Sequence, residues 1–470
     1  MARLNRLVLL LVTSLLIAAP SIAQDLSGHW EGEIQTPGQP LLVMVDLTSS
    51  DDGWEGTIDI PAQGAKELPL ENVIVEGDSA TFTIAGVPGS PTFEGKLEGS
   101  EIVGKFKQGP ATLDFRLGRD AVERAKRPQE PEGPLPYDVR EVTYENGDVI
   151  LAATITTPPG EGPFPAAVLI TGSGAQDRDE SLLGHKPFLV LADHLTRNGI
   201  VVLRADDRGV GGSTGDPRIA TSEDYATDAL ASLLFLQQQP KVDLKKVGLV
   251  GHSEGGMIAP MVAARSEQVA FCVLLAGTGV PGSEILALQQ RLILEANGAP
   301  KTMVEKLNEL QKEAIAIAAS DVDAETKKAG IADVMRQQNM LSPEAQRQSE
   351  EQLQQAIEAG ARQFLSPWFQ FFLNFDPRSA LAKTTVPVLA INGSLDLQVD
   401  AEQNLPAIEK ALQEAGNEDV TVETFESLNH LFQTARTGSP VEYGQIEETF
   451  APVALQRVSS WIVERFAGRQ

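Results

Sequence analysis

Residues 247–265 read VGLVGHSEGGMIAPMVAAR. Val247–Val250 is a continuous apolar run of strand type, and Gly256–Arg265 reads as a helix. Between them stands Gly251-His252-Ser253-Glu254-Gly255. A Gly-x-Ser-x-Gly turn joining a strand to a helix forces its serine into a tight elbow and exposes the Oγ. Ser253 is therefore the candidate nucleophile. The same pattern recurs at Gly211-Gly212-Ser213-Thr214-Gly215, inside a glycine-rich loop followed by Asp216-Pro217. No helix starts there, so Ser213 reads as a loop residue.

Outward from the elbow, apolar strands alternate with amphipathic helices. The strands are read at Ala166–Thr171, Ile200–Arg204, Val247–Val250, Val269–Ala276, Val386–Asn392 and Val420–Phe425. The helices fall near Phe188–Asn198, Ser222–Gln238, Gly256–Arg265, Asn404–Ala415 and Pro452–Phe466. Strands apolar throughout, with helices between them, predict an α/β fold with a mostly parallel sheet covered on both faces. A hairpin about Asn146-Gly147, from Arg140–Tyr144 to Val149–Thr156, precedes it. At about 283–375 the alternation stops for a Gln-, Glu- and Ala-rich helical insertion, read as a cap over the sheet's carboxyl edge. One of its helices ends at Asn297-Gly298 and another starts at Ser342-Pro343-Glu344. The cap closes on Trp368-Phe369-Gln370-Phe371-Phe372, which either packs the cap core or lends rings to an apolar substrate pocket.

A serine hydroxyl needs a base, usually histidine, and an acid that orients the imidazole. The chain has five histidines. His29 lies in the N-terminal region, His252 inside the elbow, and His185 and His194 at the first helix. His430 follows the last strand and is the candidate base. Chain order then asks for an acid after the preceding strand, where Gly393-Ser394-Leu395-Asp396 places Asp396, with Asp400 as fallback and Asp376 a poor fit. The oxyanion hole requires two N–H groups: Glu254, directly after the nucleophile, and Ser173 in the loop after Ala166–Thr171, with Gly174 the alternative.

The first 23 residues read as a signal peptide: Arg3 and Arg6, an apolar core over Leu7–Ala19, and a small-x-small site at Ser21-Ile22-Ala23. The core is shorter than the ~20 residues of a membrane span, so a periplasmic or secreted protein without a membrane span after signal removal is expected. Residues 24–120 hold eight short alternating segments with turn residues between them, predicting a small antiparallel all-β domain, barrel or sandwich. A proline-rich linker at 121–136 leads to the catalytic domain at 137–470. With 38 Lys+Arg against 65 Asp+Glu, the formal charge of −27 argues against nucleic acid and anionic membranes as partners. Cys272 is the single cysteine, so no internal disulfide forms, and its apolar strand predicts a buried, inert thiol. No two histidines have helix-face metal spacing and no Gly-Lys-Ser/Thr closes the 209–215 loop, so neither a metal nor any other cofactor is expected.

Five segments together resemble the EstD-type bacterial esterases of the α/β-hydrolase superfamily. They are Ile170-Thr171-Gly172-Ser173-Gly174-Ala175-Gln176-Asp177-Arg178, Gly184-His185-Lys186-Pro187-Phe188, Asp206-Asp207-Arg208-Gly209, Gly251-His252-Ser253-Glu254-Gly255-Gly256 and Leu428-Asn429-His430-Leu431-Phe432. The resemblance runs from about Tyr137 to Phe466 and implies carboxylic ester hydrolysis with Ser253, Asp396 and His430 as triad. Asp207 and Arg208 match a recurring loop of that family and are expected as a structural ion pair. The reading is a serine hydrolase acting on a small-molecule ester. A peptidase on the same triad is the alternative, and a non-catalytic binding protein with a vestigial triad is the alternative from another class.

Overall fold

The computed structural model describes residues 26–467, apart from 37–39, 51–52, 61–64, 88, 110, 120–126 and 342–349. The leader read in residues 1–23 and the helix start read at 342–344 lie outside the described residues.

Eight antiparallel strands form a closed barrel: β1 (Gly28–Ile34), β2 (Leu41–Ser50), β3 (Gly53–Ile60), β4 (Ala65–Glu76), β5 (Ser79–Ile84), β6 (Thr92–Glu98), β7 (Glu101–Gln108) and β8 (Ala111–Gly118). β8 closes on β1 through pairs running from Glu31↔Gly118 to Ile34↔Phe115. Closure brings backbones very near one another. A Cβ on Gly32 would stand 1.8 Å from the Arg116 carbonyl oxygen, and one on Gly104 2.0 Å from that of Glu94. Alternate residues fill the interior, with Phe93 centred among Phe82 at 4.8 Å, Phe106 at 4.8 Å and Phe115 at 5.0 Å. Burying each ring contributes roughly 1.5–3 kcal/mol, so this small unit carries its own core. Trp30 is part of that core, its Nε1–H donating to the Leu26 carbonyl at 2.9 Å.

Within the segment read as a linker, Arg127 and Gln129 are held by contacts with residues far along the chain. The Arg127 guanidinium donates to the carbonyls of Leu183, Gly184, Gly444 and Ile446. Gln129 donates to the Phe450 carbonyl and accepts from the Thr449 and Phe450 N–H groups. Prolines stiffen such a segment, but side chains on it still find partners far along the chain.

The second sheet has eight strands, β9 (Asp138–Asn146), β10 (Val149–Thr157), β11 (Phe164–Ile170), β12 (Val201–Ala205), β13 (Val242–His252), β14 (Cys272–Leu275), β15 (Val388–Gly393) and β16 (Val420–Phe425). Their spatial order is β16-β15-β14-β13-β11-β12-β10-β9, and the antiparallel pairs are β9–β10 and β10–β12. This mostly parallel, helix-covered sheet is the α/β-hydrolase fold. Strand periodicity splits each core strand between two hydrophobic layers. Ala166, Val168 and Ile170 of β11 face α2 (Ser222–Gln237) and α3 (Glu254–Ala263), while Ala167 and Leu169 face α1 (Pro187–Arg197) and α11 (Pro452–Phe466). Cys272 is buried in the first layer, and burial pushes its thiol far up, as expected for an inert group. The chain crosses from one side of β11 to the other between β12 and β13, so the carboxyl ends of β11 and β13 flank a topological switch point.

Helices α4 (Gly282–Ala296), α5 (Lys301–Ala319), α6 (Ala324–Leu341), α7 (Glu350–Phe364) and α8 (Pro367–Asn374) are inserted between β14 and β15. The first ends with C-cap Asn297 and Gly298 at φ 75°, the left-handed position that glycine tolerates best. A short α9 (Arg378–Leu381) and α10 (Ala401–Glu414) flank β15.

Candidate active site

β13 ends at His252 and α3 starts at Glu254, leaving Ser253 alone at φ 53°, ψ −113°. A non-glycine residue in this region carries strain of about 1–3 kcal/mol, held by its surroundings. The crossing of strand and helix leaves no space for side chains beside the serine. A Cβ on Gly251 would lie 2.0 Å from the Gly255 carbonyl oxygen, and one on Gly255 2.2 Å from that of Ile170. The Ser253 N–H donates to the Leu275 carbonyl at 2.8 Å, tying the elbow to β14.

Asp396 and His430 come from the loops after β15 and β16. The strand ends press together there: a Cβ on Gly393 would stand 2.1 Å from the Leu428 carbonyl oxygen. Asp396 is 2% exposed. Its Oδ1 accepts the N–H groups of Gln398 and Val399 at 2.8 Å each, and its Oδ2 meets His430 Nδ1 at 2.8 Å. The buried Asn429 side chain accepts from the Leu431 and Gln433 N–H groups and shapes the turn that carries His430. With Nδ1 engaged, His430 Nε2 is the free ring nitrogen. Among the described residues neither it nor Ser253 Oγ has a hydrogen-bond partner. Such contacts commonly form or tighten when substrate binds.

The other sequence candidates are engaged elsewhere. Asp400 caps α10, accepting the Gln403 N–H at 2.8 Å, and Asp376 pairs with Arg378 at 2.7 Å. His185 is buried against Thr449, Gln433 and the Tyr443 carbonyl, and burial together with nearby Arg127 pushes it down to about 4. His194 meets Ser459 Oγ at 2.9 Å, and burial lowers it as well. Ser213 is buried; its Oγ donates to the Asp206 carbonyl at 2.8 Å and accepts the Ala152 N–H at 2.9 Å. It joins the loop to β10.

The N–H groups of Glu254 and Ser173 have no acceptor among the described residues. The N–H of Gly172, the residue before Ser173, is taken by Glu180 Oε1 at 2.7 Å. Gly174, the alternative donor, is exposed at φ 99°. The loop is pinned by charge. Arg178 pairs with Asp206 and Glu141, and Arg204 with Asp179. Asp207 and Arg208 do not pair with each other, contrary to the expectation of an ion pair. Asp207 accepts from Thr171 Oγ1 and the Gln176 N–H, while Arg208 turns away to Asp228 and Asp224.

Two further features carry no signal local in sequence. The Glu254 side chain is buried and accepts from Ser222 Oγ at 2.5 Å and from Trp368 Nε1 at 2.9 and 3.0 Å, so the cap reaches the residue after Ser253. Burial raises the carboxyls of both Glu254 and Asp207, the latter well above the usual range, and Glu254 and Glu180 add to the rise at Asp207. A narrow cleft lies beside the loop after β11 and is not lined by Ser253; Gly172, Gly174, Asp207, Tyr225 and Glu254 line it. A second, more open cleft shares Gly174 and Tyr225 with it and is walled by Trp368. The aromatic run thus divides its work. Phe369 and Phe372 are buried within the cap, whereas Trp368 stacks on Phe372 at 5.4 Å and faces the cleft.

Residues 146–423 match the family described as X-Pro dipeptidyl-peptidase (S15 family). The chain belongs to the S15 family. The matched span contains Ser253 and Asp396 and stops short of His430. The chain is also similar to esterase EstD of Thermotoga maritima, 28% identical over 371 residues that cover 77% of this chain and 78% of that protein. Among solved structures it is similar to the Pyrococcus furiosus esterase Pf2001, at 12% identity and a TM-score of 0.42 over 74% of this chain and 100% of that one. Est1E of Butyrivibrio proteoclasticus, solved with ferulic acid, gives 15% identity and a TM-score of 0.39 over 69% of this chain and 97% of that one.

Proposed function

We propose that this protein is an exported serine esterase that works through an acyl-enzyme. The observation that carries the reading is a strained serine at a strand–helix elbow, on the same sheet edge as a histidine whose Nδ1 is held by a buried carboxylate. The similarity to an esterase supports the ester bond as its target, and the leader-like residues 1–23 support export.

Ser253 Oγ attacks the acyl carbonyl carbon while His430 Nε2 takes its proton. Asp396, holding Nδ1–H, keeps the tautomer and stabilises the imidazolium. The N–H groups of Glu254 and Ser173 donate to the oxyanion, which is where most of the stabilisation arises. Collapse breaks the bond to the alcohol oxygen, which leaves with the proton from His430. Water then attacks the acyl-serine, His430 again taking and returning a proton, and the carboxylic acid is released.

A second reading, peptide-bond cleavage on the same residues, is favoured by the family description. The two part on a substrate panel with the purified protein: nitrophenyl esters of graded acyl length beside X-Pro and single aminoacyl nitroanilides. The esterase account expects turnover of esters at least a hundredfold above every nitroanilide. Preference for a nitroanilide would replace it with the peptidase.

A further inference from the structure

A hydrogen-bonded chain runs behind the triad through residues with no assigned part in the reaction. Glu180 is 3% exposed, in the loop after β11. Its Oε1 accepts the Gly172 N–H at 2.7 Å and lies 2.9 Å from His252 Nδ1. His252 Nε2 lies 2.9 Å from the carbonyl oxygen of His430, and the two imidazole centroids are 4.8 Å apart. A carbonyl oxygen can only accept, so Nε2 carries a hydrogen. A second proton must then sit between Nδ1 and the Glu180 carboxyl. Burial opposes charge on His252, but the Glu180 carboxylate and the His430 carbonyl outweigh it and hold the imidazole above its usual range. Glu180 and His252 thus form a buried, hydrogen-bonded bridge.

Resting on the serine-hydrolase reading, we propose that Glu180 and His252 act together as positioning residues, joining the oxyanion loop to the backbone of the base. The bridge touches three segments at once: the loop after β11, the elbow, and the turn bearing His430. By engaging the Gly172 N–H, Glu180 leaves the next N–H, that of Ser173, for the substrate. The loop is pressed against the nucleophile, since a Cβ on Gly172 would stand 3.3 Å from Ser253 Cβ and 3.4 Å from His252 Nδ1. A rotation of His252 would therefore move both the oxyanion donor and the carbonyl that steadies His430. Such displacement weakens the transition state more than ground-state binding.

The test compares Glu180→Gln, His252→Asn and the double variant on one nitrophenyl ester, with circular dichroism and thermal midpoint on each. Glu180→Gln keeps an acceptor for Gly172 but removes the counter-charge. His252→Asn keeps a donor for Glu180 but cannot reach His430. Each should lower kcat roughly 10–100-fold with KM changed less than about threefold. The double variant should lose no more than the worse single one, because one bridge is broken once. Losses that multiply, or folded single variants with parental kcat, or a change confined to KM, would overturn the proposal. Should Glu180→Gln not fold, the kcat and KM of His252→Asn alone decide it. Turnover that survives Ser253→Ala would instead overturn the serine reading, so the two failures are distinct.

Discussion

Two serines of this chain stand in the same five-residue pattern, and the structure assigns them opposite consequences. Ser213→Ala removes an Oγ that accepts the Ala152 N–H at 2.9 Å and donates to the Asp206 carbonyl at 2.8 Å, in a site 8% exposed. Alanine leaves a buried donor without an acceptor, at about 1–3 kcal/mol, and forfeits one ordinary hydrogen bond of about 1 kcal/mol. The total of roughly 2–4 kcal/mol corresponds to a fall of about 3–6 °C in the thermal midpoint, given an unfolding entropy of about 2.1 cal/mol/K per residue over a domain spanning 137–470. Turnover per folded molecule should stay within about threefold of the parent. Ser253→Ala should do the reverse. Its N–H bond to Leu275 is backbone and survives, so the midpoint should hardly move, while kcat falls by at least about 10⁴-fold for want of a nucleophile. Differential scanning fluorimetry and nitrophenyl ester turnover on both variants read the two axes together. The reasoning is refuted if folded Ser213→Ala is inactive while Ser253→Ala keeps turnover.

Asp396→Asn should keep the fold and lower kcat about 10⁴-fold, because the amide can hold His430 in the wrong tautomer; comparison with Asp400→Asn, expected near parental kcat, checks it. Asp207→Asn tests the half-buried acid. Its carboxyl is raised in the folded state, so whatever stability it adds is complete below the unfolded value of about 3.9 and is lost as pH rises through the folded value. The variant's thermal midpoint relative to the parent should therefore increase between pH 5 and pH 8, and a flat or falling difference would contradict the assignment. A chain beginning at Arg127 should hydrolyse small esters, whereas one beginning at Pro134 loses the Arg127 and Gln129 contacts and should melt earlier. Equal midpoints would mean the docked segment is inert.

The elbow and the triad candidates were legible because both are written locally: an apolar strand, a glycine-flanked serine, and acid and base at successive strand ends. The first half of β4 was not. Glu67 and Asn72 take φ of 50° and 53°, and the pairing slips between Glu71 and Ile74, so the two-residue alternation that marks a strand is broken there. The docked Arg127 escaped notice because its acceptors lie far along the chain. The same holds for the Glu254–Trp368 contact, which joins the elbow to the cap across 114 positions. Adjacent opposite charges need not pair: Asp207 and Arg208 are neighbours in sequence, yet one turns into the loop after β11 and the other toward α2. Nothing in a string of acids tells which are buried, and only the fold shows Glu180 and Glu254 enclosed and close enough to act on the half-buried Asp207.

Covalent acylation of Ser253 is the step that distinguishes a serine hydrolase from a non-catalytic reading of this site. Intact mass after incubation with a fluorophosphonate, followed by peptide mapping, reads this directly. One adduct per chain, on the peptide bearing Ser253 and lost in Ser253→Ala, is the predicted result; a folded, unlabelled protein, or an adduct on Ser213 or any other side chain, would contradict it.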